Sequence, residues 1–211
     1  MFDRLATLAS TILLSACSII GVRSGTEETR FDLIGTEAGL EIRRYAPRLV
    51  AETTIAADEA TARNEGFGRL ARYIFGANQG AAKIAMTAPV SQEPLRIAMT
   101  APVAQDATPE GYRIRFFLPA ALRDPPAPRD SRVSIVEVPA ETVAVLRFPG
   151  VPSPAAVAEA RARLAAALPA TRWIATGEPV TWFYDPPWTI PPLRRNEAVV
   201  PVAPRTGQGG A

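Results

Sequence analysis

The chain has no histidine among its 211 residues, and it has only one cysteine. Histidine is the usual proximal ligand of haem iron, the usual general base near neutral pH and a common zinc ligand. Its absence excludes the commonest forms of all three chemistries, including any Ser-His-Asp or Cys-His arrangement. A ligand must therefore be held by shape, apolar surface and arginine, with thioether or phenol groups as further contacts.

Positive charge is carried almost entirely by arginine, since Lys83 is the only lysine among 23 basic residues and the net charge is only +2. No basic run is interleaved with aromatic residues, so we expect no nucleic-acid partner. The sequence has neither a phosphate-cradling glycine loop nor clustered metal-ligand spacing. Catalysis by a carboxylate pair such as Glu41 with Glu52, or by a Ser-Lys pair that uses Lys83, has no supporting motif.

The N-terminal residues 1–16 are typical of a lipoprotein signal peptide. Arg4 precedes a short apolar stretch at 5–14, which is thin for a transmembrane helix. The segment Leu14-Ser15-Ala16-Cys17 resembles a bacterial lipobox, which implies cleavage before Cys17 and acylation of that residue. Two or more acyl chains anchor a protein stably. An ordinary secretory signal in which Cys17 is incidental is the alternative.

The expected location is the bacterial cell envelope. Ser18, directly after the lipidated cysteine, favours delivery to the outer membrane, with the body facing the periplasm. The polar segment 17–30 is predicted to be a tether, residues 31–204 the folded domain, and residues 205–211 a flexible tail. The sequence says nothing about the oligomeric state.

The folded domain is predicted to contain two similar halves. In the first half, strands at 40–46 and 49–55 precede a helix from the capping residue Asp58 to about Phe75. In the second half, strands at 133–138 and 142–148 precede a helix from Ser153 to about Leu168. Further strands are predicted at 112–118, 180–184 and 197–202.

This order predicts an α+β fold. The two strand-strand-helix-strand halves would form a distorted, mostly antiparallel β-barrel or sheet flanked by two helices. Such halves readily leave an apolar groove where they meet.

The first helix has one apolar face and two glycines. Phe67, Leu70, Ala71 and Ile74 share that face. Gly66 and Gly68 each cost the helix about 1 kcal/mol relative to alanine, so we expect something to approach its backbone closely.

A direct repeat follows the first helix. Residues 84–90, Ile-Ala-Met-Thr-Ala-Pro-Val, recur at 97–103. Two strands paired through a turn at Ser91–Pro94 are the simplest prediction, with each proline at an edge, a strand end or a bulge. Met86 and Met99 are predicted to be packing residues, with thioether ligation of a metal as the weaker interpretation.

Several stretches resemble the SOUL haem-binding protein family. They are Glu41-Ile42-Arg43-Arg44-Tyr45, residues 66–78 (Gly-Phe-Gly-Arg-Leu-Ala-Arg-Tyr-Ile-Phe-Gly-Ala-Asn), Lys83–Val90, Tyr184-Asp185-Pro186-Pro187-Trp188 and Arg194-Arg195-Asn196-Glu197. Together they span about 40–202. Apart from the resemblance, we expect the Arg194–Glu197 stretch to tie the last strand to its neighbours through charge-assisted hydrogen bonds.

The resemblance implies a shallow apolar groove for haem or another tetrapyrrole along the first helix. Phe67, Leu70 and Ala71 would line it, Arg72 would pair with a propionate, and Trp188 would form a wall or a plug. Thr189 stands where some family members have a lysine. Without histidine, iron ligation falls to Met86, Met99 or a tyrosine, or is absent, so iron-free porphyrin is equally compatible.

The leading hypothesis is therefore a non-catalytic, membrane-tethered protein that binds haem, porphyrin or a similar planar hydrophobic molecule. One alternative is a ligand-free scaffold or interaction lipoprotein. Another is a carboxylate-based enzyme acting on a small apolar substrate, which would need two acidic groups facing one pocket.

Overall fold

The computed structural model describes residues 26–95 and 111–205. Cys17, Met99 and the second copy of the repeat lie outside these ranges. Within them, neither helix is long and apolar enough to cross a membrane.

Twelve strands and two α-helices make up the described part of the chain. The strands are β1 Glu27–Glu28, β2 Asp32–Glu37, β3 Leu40–Tyr45, β4 Arg48–Ile55, β5 Thr87–Ala88, β6 Val90–Leu95, β7 Gly111–Phe117, β8 Ser134–Val138, β9 Glu141–Pro149, β10 Trp173–Ala175, β11 Val180–Phe183 and β12 Arg195–Pro204. The helices are α1 Glu59–Ile74 and α2 Pro154–Ala167, and short 3-10 turns occupy Leu168–Ala170 and Pro191–Leu193.

Ten of the strands form one open antiparallel sheet. Its order is β2-β3-β9-β12-β11-β6-β7-β4-β8, and β10 pairs with the end of β12. The two remaining strands, β1 and β5, form a separate parallel pair. The predicted α+β fold is confirmed, and its sheet does not close into a barrel.

The sheet order reveals a twofold relation between the halves. Strands β3, β4, β6 and β7 with α1 correspond to β8, β9, β11 and β12 with α2, and β6 pairs with β11 at the centre. The first strand of each half is exchanged, since β3 pairs with β9 and β8 pairs with β4. Neither half can therefore complete its sheet without the other.

Both helices cover the same face of the sheet. Gln92 of β6 donates to the Glu59 carbonyl of α1, while Thr181, directly opposite Gln92, accepts from Arg161 of α2. Helix α1 packs on β4 and β7, and α2 packs on β9 and β12. A third core, on the helix-free face, contains Tyr45, Val50, Phe117, Val143, Val145, Trp182 and Val199.

Helix α1 begins and ends as predicted. The Asp58 carboxylate accepts from the backbone N–H groups of Ala60 and Thr61 at 3.0 Å, and Gly76 has a φ of +115° just beyond the helix.

The close approach expected at the two glycines of α1 occurs at Gly66. A Cβ there would lie 2.4 Å from Cγ1 of Ile114, whereas a Cβ at Gly68 would meet nothing nearer than 3.9 Å.

Helix α2 also matches its prediction. The Ser153 hydroxyl accepts from Ala156 N, and Pro154 occupies the first turn. One face of the helix is buried, with Val157, Ala160, Leu164 and Leu168 in the core.

The predicted turn at Ser91–Pro94 is wrong. These residues belong to strand β6, which pairs with both β7 and β11. Pro89 lies between β5 and β6, which agrees with its expected place at a strand end.

Three strands differ from the sequence prediction. Strands β2 and β10 are not predicted, and β1 lies within the segment predicted to be a tether.

A buried ion pair joins the two ends of the domain. Arg43 Nη1 and Nη2 donate to the two carboxylate oxygens of Glu197 at 2.9 and 3.0 Å, and the side chains are 1% and 0% exposed. The Tyr184 hydroxyl donates to Glu197 Oε2 at 2.6 Å. Although burial alone lowers the pKa of Arg43, its bond to Glu197 raises that pKa above the ordinary value. The expected tying role of the Arg194–Glu197 stretch is confirmed.

The two helical glycines form a matched pair for a stability test. Gly66→Ala should lower the free energy of unfolding by about 1–3 kcal/mol, because its Cβ would overlap Ile114. Gly68→Ala should raise it by about 0.5–1 kcal/mol, because the new Cβ meets open space and the unfolded chain loses entropy. Urea denaturation of both variants checks this, and effects of the same sign would contradict the packing of α1 on β7.

Removing one charge of the buried pair should be costly. Glu197→Gln leaves the Arg43 guanidinium without its main buried partner, so the free energy of unfolding should fall by roughly 3–5 kcal/mol. Glu137→Gln, the same change at an exposed position of β8, is the control and should alter stability by less than about 0.5 kcal/mol. Chemical denaturation that gives equal values for both variants would refute the structural importance of the pair.

Candidate ligand-binding surface

The outer side of α1 carries an apolar strip with cations beside it. Phe67, Ala71 and Phe75 recur every four residues, and we call them the α1 strip. Phe67 is 41% exposed, Phe75 is 62% exposed and Ala71 is half-buried. Arg72, next to Ala71, is exposed.

The strip stands on a rigid support. The Phe67 ring packs against Phe116 of β7 at 5.2 Å between centroids, with the rings inclined at 61°. Arg69, on the buried side of the helix, donates from Nη1 to the Thr53 hydroxyl of β4 at 2.8 Å. Because the sheet holds α1 along its inner side, the strip is presented without needing to reorder on binding.

A second exposed apolar surface lies in the loop of residues 184–194, which we call the C-terminal loop. Trp188 is 64% exposed and Ile190 is 43% exposed. The loop is fixed internally, since Arg194 Nε donates to the Thr189 carbonyl at 2.7 Å. Trp188 therefore presents its ring to the surface and does not act as a buried plug.

Two hydrogen bonds connect this loop with α1. Arg63, one turn before Phe67, donates to the Pro152 carbonyl at 3.0 Å. Gly150, two residues before Pro152, donates its backbone N–H to the Pro191 carbonyl of the loop at 3.1 Å. The C-terminal loop is thus linked through residues 150–152 to the N-terminal half of α1.

The predicted site residues divide by burial. Phe67, Arg72 and Trp188 are exposed and Ala71 is half-buried, so a ligand can reach all four. Leu70 is 0% exposed and packs with Tyr73 and Ile74 in the core beneath α1, so its side chain is out of reach of a surface ligand. Thr189, where the resemblance places a lysine in some family members, is also fully buried.

Sequence reasoning missed Phe75 and the second cation. The four-residue spacing from Phe67 through Ala71 leads to Phe75, but the predicted helix ends there, so the pattern alone does not mark Phe75 as part of the strip. Lys83 is exposed, and the Ile84 N–H beside it donates to the Ile74 carbonyl at 2.8 Å. Lys83 therefore lies at the C-terminal end of α1, near the end of the strip.

Among the described residues, the candidate metal ligands Met86 and the four tyrosines are all at least partly buried. Met86 is half-buried and packs against the core beneath α1, as expected for a packing residue. Burial raises the pKa of all four tyrosines, Tyr45, Tyr73, Tyr112 and Tyr184, because a buried phenolate would lose its contact with water. Across residues 26–95 and 111–205, no three His, Cys, Asp or Glu side chains cluster as a metal site would require.

The carboxylates suggested for catalysis belong to separate ion-pair networks. Glu41 bonds with Arg43 and Arg147, whereas Glu52 bonds with Arg115 and lies 3.8 Å from Arg113. Their charges are compensated by different arginines, and the two glutamates do not form an acidic pair.

The junction of the two halves also contains a cavity, on the helix-free face of the sheet. Its volume is about 140 Å³, and Phe117, Trp182 and Glu141 are among its walls. Pockets for drug-sized ligands measure roughly 300–1,000 Å³, so this cavity is too small for a tetrapyrrole. The junction thus carries a small cavity of mixed polar and apolar lining on the face opposite α1, which differs from the apolar ligand groove expected there.

Solved structures with similar folds are only distantly related in sequence. The C-terminal domain of EcmrR superimposes with a TM-score of 0.59 at 11% identity, covering 78% of this chain and 97% of that domain. An uncharacterised conserved protein from Listeria innocua has a TM-score of 0.52 at 9% identity and coverages of 80% and 94%. A Listeria innocua protein described as a hydrolase has a TM-score of 0.50 at 10% identity and coverages of 81% and 94%. At these identities the likeness concerns the fold alone.

Sequence comparison identifies the family. No curated protein sequence matches the chain. A family model described as SOUL heme-binding protein matches residues 26–201, which include α1, the C-terminal loop and nearly all of the sheet. The chain therefore belongs to the SOUL haem-binding protein family.

Proposed function

We propose that this protein binds haem, or another planar tetrapyrrole, on the α1 strip, and that it does so without an iron–histidine bond. The observation that carries the proposal is the exposure of Phe67 and Phe75 on a helix whose other side is fully packed on the sheet. Exposed apolar surface of this kind is typical of a binding site. Membership of the SOUL family supports a tetrapyrrole as its occupant.

Affinity would come from the two phenylalanine rings. Burying exposed aromatic surface contributes about 25 cal/mol per Å² of apolar area removed from water. A flat macrocycle can cover both rings and the small Ala71 between them, while Gly68 leaves the helix backbone open to close contact. Trp188 and Ile190 of the C-terminal loop would supply further apolar surface.

Arg72 and Lys83 would orient the acidic edge of the ligand. Both are exposed and both lie beside the C-terminal half of α1, where a propionate can reach them. Arginine binds a carboxylate through two parallel N–H donors, whereas lysine provides a point charge. The binding of a tetrapyrrole would thus depend on apolar contact and charge, with or without iron.

The same features favour a binding protein over an enzyme. Glu41 and Glu52, the carboxylates considered for catalysis, are each compensated by arginines, and no histidine occurs in the sequence. Exposed Trp188 does not plug the surface, which supports ligand binding over a ligand-free scaffold.

We further propose that the domain is tethered to a membrane of the bacterial envelope through Cys17. This rests on the lipobox-like segment Leu14–Cys17 alone. Outer-membrane anchoring facing the periplasm is the arrangement that Ser18 favours.

Porphyrin titration tests the binding proposal. The purified full-length chain should bind haemin and iron-free protoporphyrin IX with similar affinity, as measured by the change in their visible absorption. Phe75→Ala should weaken both by about tenfold through lost apolar contact, and Arg72→Gln by roughly two- to fivefold, because the lost ion pair is exposed.

Matched controls for these variants lie elsewhere on the surface. Leu33→Ala removes an exposed apolar side chain from β2, and Arg163→Gln removes the charge of an exposed arginine on α2. Neither should change porphyrin affinity. Failure of both porphyrins to bind the folded chain would refute the proposal, as would equal losses in the variants and their controls.

Fatty-acid labelling tests the tether. In a bacterial host supplied with an alkyne-bearing fatty acid, the wild-type chain should become labelled and be recovered with the membranes. Cys17→Ser should abolish labelling, because the acylated group is absent, whereas Ser18→Ala should retain it. An unlabelled wild-type chain, or equal labelling of Cys17→Ser, would exclude the anchor.

A further inference from the structure

The cavity on the helix-free face has walls of two different kinds. Phe117, Val143, Trp182 and Val199 provide an apolar lining, and they belong to the third core of the sheet. Glu93, Glu141 and Glu178 contribute acidic groups, while Arg115 is the one basic residue among the described residues of the wall. An apolar cavity with an excess of carboxylates can bind a ligand that combines an apolar group with a positive charge.

The protein already holds one organic cation against the same residues. The Arg48 guanidinium lies 4.2 Å from the ring centroid of Tyr45, 4.7 Å from that of Phe117 and 5.8 Å from that of Trp182. Its Nη2 also donates to Glu141 Oε1. Two of these rings and the carboxylate line the cavity, so the chain itself demonstrates that they bind a planar cation.

Arg48 leaves part of this binding capacity unused. Its side chain is only 8% exposed, and it does not itself line the cavity. Within the described residues, no donor bonds to the second carboxylate oxygen of Glu141. Burial raises the pKa of Glu141, whereas the charges of Arg48 and Arg115 lower it, and burial has the larger effect. The two arginines therefore do not fully offset the cost of removing the carboxylate from water.

The other two acids differ in their surroundings. Glu93 is engaged by Arg113 at 3.1 Å and by Arg115 at 3.4 Å, so its charge is largely balanced. Glu178 is exposed at the rim and forms no ion pair with any residue in the described ranges. The negative charge available to a cationic ligand therefore comes from Glu141 in the cavity wall and Glu178 at the cavity rim.

We propose that this cavity is a second binding site, which takes a small organic cation built on a single flat ring, such as an aromatic amidinium or ammonium ion. The ring would lie against Trp182 and Phe117, and the cationic group would donate to Glu141 and Glu178. The site lies on the face opposite α1, is too small for a tetrapyrrole, and does not depend on the proposed function of the α1 strip.

Three probes of the same shape test the proposal. Benzamidinium, benzamide and benzoate share one ring and a planar substituent but carry positive, zero and negative charge. Calorimetry on the full-length chain should show benzamidinium binding, with benzamide and benzoate at least about tenfold weaker because they lack the charge-assisted bonds. Benzamidinium should also shift the NMR signal of the Trp182 indole N–H, which is assigned by its loss in Trp182→Phe.

Charge-removing variants complete the test. Glu141→Gln should weaken benzamidinium about tenfold, and Glu178→Gln two- to fivefold, since Glu178 is solvated. Exposed Glu178 does not contribute to the core, so its variant remains informative if Glu141→Gln fails to fold. Two control variants should leave benzamidinium binding unchanged. Glu137→Gln changes a residue of neighbouring β8 that is outside the cavity wall, and Phe75→Ala changes the α1 strip.

Several results would overturn the proposal. Benzamide or benzoate binding as tightly as benzamidinium would show that positive charge is not recognised. Absence of benzamidinium binding, an unshifted Trp182 indole signal, or unchanged affinity in Glu178→Gln would each show that this cavity is not the site.

Discussion

The arrangement of the domain depends on the buried ion pair between Arg43 and Glu197. A charge removed from water is tolerated only when a partner compensates it, and these two side chains are almost completely enclosed. They lie on β3 and β12, separated by 154 positions in the sequence but only by β9 in the sheet. The pair therefore favours one placement of β3, the first strand of the first half, relative to β12, and with it the exchange of strands between the halves.

That exchange also determines what each face of the sheet presents. Because both helices cover one face, the α1 strip and its cations Arg72 and Lys83 lie on one side of the molecule, and the small aromatic cavity lies on the other. Since the sequence has no histidine, the binding proposed for each surface relies on apolar contact and charge. The two surfaces differ in the sign they offer: cations flank the α1 strip, whereas carboxylates line the cavity.

The sequence predicted the regular elements well where one strong local signal acted alone. Both helices have their predicted caps because Asp58 and Ser153 satisfy backbone donors within their own first turns. The error at Ser91–Pro94 arose because polar residues and a proline are typical of turns, whereas pairing with β7 and β11 holds this segment in the sheet. Phe75 was missed for a related reason, since a helix-end position gives no local sign of whether its side chain is exposed.

The sequence by itself determined the family, the helix faces, the twofold order of elements and the absence of imidazole chemistry, because each is written in local pattern or composition. Only the tertiary structure decided that Leu70 is buried while Phe67 and Phe75 remain exposed, and that Arg43 meets Glu197. It alone also placed Arg48 between the aromatic rings beside Glu141. These outcomes depend on contacts between residues far apart in the chain, and no local periodicity specifies which distant surfaces will meet.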